Sequence, residues 1–231
     1  KLTVTAMNDS RAGVFGAVGS SGTVKDLTVS GSVSGSGSGS DELFAGGITG
    51  CNYGLIDHCA SSVQVTMTAQ GDSPQSYAGG IAGSNYNTIR NCRNSGAITA
   101  ASTNLTFAGG IAGSSAGGIV VSSGCSVTNC FSTGAVSASG GHYNNYAGGI
   151  AGMAYDGAAL TSCYSTGTVT ATATDPGTAL AGGICGSNAG GNGNNRVRVT
   201  SCFWLSTAAA KLIGTVQTTD ITRCGTFDST G

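Results

Sequence analysis

The sequence predicts an all-β fold: a right-handed parallel β-solenoid, or β-helix, of about six rungs with three short strands in each. Three observations predict it. Ala-Gly-Gly-Ile returns at residues 45–48, 78–81, 108–111, 147–150 and 181–184, after a degenerate copy at Phe15–Val18. Aligned on a recurring cysteine, the residues around it form columns of one chemical type. The composition, with 41 glycines, 2 prolines and 8% charged residues, suits neither a thick globular core nor a disordered polyampholyte.

Taken in chain order, each repeat opens on the Gly-Gly run, preceded by Phe44, Tyr77, Phe107, Tyr146 or Leu180. Successive copies start 30, 33, 30, 39 and 34 residues apart, and the surplus falls in insertions around 116–124 and 190–195. Gly-Gly weakens an ordinary strand, so its recurrence marks a tight corner or the close approach of another backbone. A phosphate loop is excluded, because no Gly-Lys-Ser/Thr and no helical pattern follow it.

The second segment leads to the cysteine. Three positions before it stand Val24, Ile56, Ile89, Val127, Leu160, Val199 and Ile221, with Leu27 replacing the cysteine in the first copy. The third segment follows it and alternates, with Val33, Val65, Ile98, Val136 and Val169 each followed by Ser34, Thr66, Thr99, Ser137 and Thr170. Period-two alternation rich in β-branched residues argues strand, and nowhere does helical apolar spacing persist. One repeat cannot bury its own apolar side, whereas stacking in register at about 4.8 Å per rung buries whole columns. The chain therefore reads as one domain: 1–13 as the end of a preceding rung, 14–207 as six repeats, and 208–231 as a partial C-terminal rung or cap. Val4-Thr5 matches Val65-Thr66, so the start reads as a cut through a longer array. An open strand edge there would invite end-to-end association.

The run Ala78-Gly79-Gly80-Ile81-Ala82-Gly83-Ser84-Asn85, then Thr88-Ile89-Arg90-Asn91-Cys92, then Ser95-Gly96-Ala97-Ile98-Thr99 resembles the GLUG repeat of bacterial surface and secreted proteins. That family includes adhesins and the non-catalytic parts of some immunoglobulin A peptidases. The resemblance covers roughly residues 14–207 and departs from the usual pattern in carrying a cysteine in nearly every rung. It implies a β-solenoid at a bacterial cell surface or outside the cell, and it implies no catalytic residues.

Few residues suggest chemistry. Six of the nine cysteines, Cys59, Cys92, Cys130, Cys163, Cys202 and Cys224, share one column and read as an inward ladder of unpaired thiols, the structural core of the stack. Cys51, Cys125 and Cys185 lie off it, and any disulfide is expected to involve one of them. No metal or cofactor site is expected, since there is no CxxC pair and only His58 and His142. The acids share no column. Asp57 beside His58 is the one suggestive pair, and adjacent strand residues point to opposite faces. No catalytic residue is therefore assigned. The column Ser34, Thr66, Thr99, Ser137 and Thr170 is the expected ligand-facing ladder, offered to glycan or, less well, to ice. Phe131, Tyr164 and Phe203 follow the cysteine in three rungs, either as a stacking strip for sugars or as corner packing.

A net charge of −1 excludes long-range attraction to nucleic acid, and no apolar run is long enough to insert in a membrane. The expected function is a non-enzymatic adhesin stalk or spacer that contacts a glycan or host surface protein. The alternative is a self-assembling filament subunit, with a carbohydrate-active enzyme or an ice-binding protein behind it.

Overall fold

A computed structural model describes residues 2–7, 11–38, 42–71, 75–116, 124–174, 176–189, 196–209, 211–215 and 219–227. Among them no helix occurs. The strands form four sheets in which every pairing is parallel, and equivalent segments of successive repeats lie side by side. The insertions expected around 116–124 and 190–195 fall almost wholly outside the described residues.

The first sheet has six strands and holds the segments before the Gly-Gly, such as Gln75–Gly79 and Leu105–Gly109. The second has seven and holds the segments after it, such as Ala82–Asn85. A third, also of seven, holds the run before the cysteine, such as Thr88–Arg90. The fourth, with eleven, takes everything after the cysteine, as the long strand Ala60–Gln70 or as the pair Arg93–Asn94 and Ile98–Ser102.

A repeat thus contributes to four sheets, where the sequence suggests three segments. The reason is the glycine pair, which splits one apparent strand into two. A Cβ on Gly109 would collide with the Ala112 carbonyl oxygen of its own repeat, and one on Gly110 with Gly149 O of the next repeat and with Ser132 Oγ of its own. The two strands of the corner are pressed so closely that only hydrogen fits.

The columns read from the sequence are the registers of the sheets. Tyr77 lies between Phe44 and Phe107, Ile89 between Ile56 and Val127, and Val65 between Val33 and Ile98. Leu2–Met7 pairs with the following repeat so that Val4 meets Val33 and Thr5 meets Ser34. Ile48, Ile81, Ile111, Ile150 and Ile184 are fully buried, and they join the cysteine, Ile56-type and Val65-type columns in one continuous core. Immediately before the cysteine column every repeat turns through a left-handed residue: Asp26, His58, Asn91, Asn129, Ser162, Ser201 and Arg223, with φ between 51° and 56°. Asn and Asp tolerate this conformation best among residues with a side chain, which accounts for the short polar side chains that dominate the column.

Candidate functional site

The outer face of the fourth sheet is the broadest regular surface. Thr5, Ser34, Thr66, Thr99, Ser137 and Thr170 lie in one unbroken register row. They are half-exposed or exposed, while Val33, Val65, Ile98, Val136 and Val169 beside them are buried and Val4 is half-buried. A second outward row runs two residues further along, through Ser36, Thr68, Ala101, Ser139 and Thr172. Neither row holds a charge or a ring. Where they begin, a shallow concavity of about 260 Å³ is lined by Ser36, Gly37, Ser38, Thr68 and Gln70. Such a surface can exchange hydrogen bonds with a hydroxylated ligand, and its two rows carry hydroxyl and methyl groups with no carboxylate, imidazole or amine among them.

Asp57 and His58 are brought together, against the expectation that they face apart. His58 has φ 52°, so strand alternation stops at Asp57 and the imidazole swings back, with Nδ1 2.7 Å from Asp57 Oδ1. The carboxylate is buried at 3% side-chain exposure. Arg90 Nη2 donates to Oδ2 at 3.0 Å, Asn91 Nδ2 donates to Oδ1 at 2.9 Å, and Lys25 Nζ lies 3.8 Å away. The Arg90 hydrogen bond, helped by Asn91 and opposed by burial, holds the Asp57 carboxyl down to about 2. A carboxylate so fully engaged is a poor proton acceptor, and its arrangement is that of a structural clasp across three repeats.

Besides the stacked pair Tyr53 and Tyr86, aromatic residues form two rows. Phe44, Tyr77, Phe107 and Tyr146 stack with centroids 4.8, 4.6 and 5.3 Å apart, forming with Cys51 a second apolar cluster outside the main core. Tyr77 Oη lies 2.6 Å from Gln75 Oε1 and 3.2 Å from Glu42 Oε1, and burial together with Glu42 pushes this phenol up. Arg11 occupies the same register row one repeat earlier. The column is legible in the sequence; that it makes a separate outer cluster is not. Phe131, Tyr164 and Phe203 form the other row, on the fourth sheet, with Tyr164 and Phe203 exposed. The Phe131 and Tyr164 rings stack 4.8 Å apart at 2°, so they present edges outward and keep their shared faces against each other.

All nine cysteines are free thiols. Each ladder sulfur donates toward the carbonyl two residues before it, as Cys92 Sγ does to Arg90 O at 3.0 Å and Cys130 Sγ to Thr128 O at 3.2 Å. Burial pushes Cys130 up. The three off-ladder thiols have no cysteine beside them in register: Cys51 lies between Ala17 and Ser84, Cys185 between Ala151 and Ile213, and Cys125 bonds Ser115 at 3.1 Å. The expectation that any disulfide would involve one of these three thus finds no cysteine in register beside Cys51 or Cys185. Burial pushes Cys125 up to about 11 and Cys185 up to about 12. No group of three or more His, Cys, Asp or Glu side chains gathers for a metal among the described residues.

Stacked parallel sheets, repeat-wide columns and a hydroxyl face together define the class: an all-β repeat protein of solenoid-like build. Residues 75–99 and 143–170 match the GLUG motif, and they coincide with the corner, cysteine and hydroxyl segments of two repeats. No curated protein matches the chain. Among solved structures, one named "putative immunoglobulin A1 protease" from Bacteroides ovatus is similar, at 20% sequence identity and a TM-score of 0.51. The alignment covers 90% of this chain and 58% of that one, so the likeness is one of fold.

Proposed function

We propose that this chain is a non-enzymatic extracellular module, a stiff spacer within a bacterial surface or secreted protein, whose hydroxyl face meets a glycan or a host protein. The fold is read here as a closed right-handed solenoid, since parallel crossovers within a sheet are right-handed almost without exception. The observation that carries the proposal is the unbroken register from Thr5 to Thr170, a rigid face repeated rung after rung. The GLUG motifs support the location, and the Asp57 clasp supports a structural use for the one acid–histidine pair. A repeated face also gains from multivalency, because weak contacts on successive rungs add without new chemistry.

Antibody against the chain should label intact cells that produce the parent protein, and the isolated chain should bind glycans or host cells. Thr66→Lys together with Thr99→Lys should reduce that binding at least tenfold with the fold retained. Labelling only after cell lysis would overturn the location. Absence of binding on both a glycan array and host cells would leave a spacer without adhesive duty.

A further inference from the structure

We propose that Cys202 and Cys224 are a disulfide site that locks the last described strands onto the stack. The inference does not depend on the spacer role. Eight of the nine thiols are buried and only Cys224 is half-exposed, so it alone is open to an oxidant in solution. Thr200 pairs with Thr222 and Phe203 with Gly225, which sets the two cysteines side by side. Parallel strands in register hold their Cα atoms about 4.8 Å apart, inside the range that a disulfide spans. The Cys224 sulfur is already turned toward its neighbour, 3.4 Å from the Cys202 amide nitrogen, which donates to it.

Other ladder neighbours share this register, and the Cys59 amide donates to Cys92 Sγ at the same 3.4 Å, but they lack its freedom. A disulfide needs Cβ atoms closer than in-register strands hold them, so one backbone must shift. Cys92, Cys130 and Cys163 sit on strands hydrogen-bonded on both sides. Among the described residues, the strands around Cys224, Thr219–Thr222 and Gly225–Phe227, are paired on one side alone.

The chemistry is thiol–disulfide exchange with a low-molecular-weight disulfide such as oxidised glutathione. The Cys224 thiolate attacks one sulfur of that disulfide, forming a mixed disulfide and releasing one thiol. Cys202, whose thiol Cys163 and burial hold well above the ordinary range, then gives up its proton to solvent as the joined strands open, attacks the Cys224 sulfur and displaces the second thiol, which makes this the slower step. The protein loses two hydrogens, and the small disulfide gains them as two thiols. Closing a loop with a sequence separation of 22 restricts the unfolded chain, so the joined strands should open less often.

The test treats the reduced chain with oxidised glutathione at mildly alkaline pH. One thiol should react in the folded state, two should be lost at completion, and trypsin should release the peptides 199–211 and 224–231 joined. Trypsin cleavage after Arg223 should slow at least tenfold in the oxidised protein, the loop-closure effect being an upper bound of a few hundredfold. Cys202→Ser should stop at a stable glutathione adduct on Cys224, and Cys224→Ser should block oxidation while leaving the rest of the ladder reduced. A persistent adduct in the unsubstituted chain, a bond joining any other pair, or no reaction at all would overturn the proposal.

Discussion

At the residue scale the sharpest feature is the Asp57 clasp. Its carboxyl stands at about 2 in the folded chain against an ordinary value of 3.8, chiefly because Arg90 donates to it. A depressed folded-state value means that the clasp stabilises the fold fully above pH 3.8, and that this stabilisation is lost as pH falls toward 2. Denaturant midpoints measured across that window should fall for the native chain and stay flatter for Asp57→Asn, the two converging at the acid end. Equal slopes would mean that the clasp contributes nothing. The sequence shows the pair but not its contact. Alternation predicts opposite faces, and only the positive φ of His58 cancels it. That turn is nonetheless foreshadowed in the column, since Asn91 and Asn129 hold the equivalent place in neighbouring repeats.

Between residue and molecule stands the corner element. Its glycines are legible as a repeat, and their recurrence already suggests a close backbone approach. What the letters do not carry is that the corner divides one segment between two sheets, or that its outer side gathers a stacked aromatic column instead of solvent. Both follow from the angle of the bend, which depends on contacts between repeats and not on local propensity. The glycines should therefore differ sharply in tolerance. Gly109→Ala drives a Cβ into the Ala112 carbonyl, an overpacked site with only backbone to yield, and should destabilise by about 3 kcal/mol. Gly19→Ala meets nothing within 4 Å and should stay within about 0.5 kcal/mol of the native chain. Similar denaturant midpoints for the two variants would refute the steric account of the corner.

For the whole molecule, the in-register sheets make stability a sum over repeats and the contacts between them. Each column continues across the next repeat with the same kind of residue, so one complete unit should be removable without disturbing the rest. Deleting residues 78–107 joins Tyr77 to Ala108, reproducing the Phe107–Ala108 junction of the native chain and keeping every column in phase. The shortened protein should retain its β-sheet circular dichroism and lose about 4.8 Å of length in small-angle scattering, the spacing of one strand. Its unfolding midpoint should drop modestly, because one interface is lost while the others persist. Deleting only residues 78–92 joins Tyr77 to Arg93 and sets the fourth-sheet segment where the second-sheet segment belongs. Valine and isoleucine columns then face the wrong neighbours, and the chain should fail to fold cooperatively. Should the full-repeat deletion unfold as badly as the half-repeat one, the repeats would not be additive units, and a stiff spacer of adjustable length would be the wrong description of this chain.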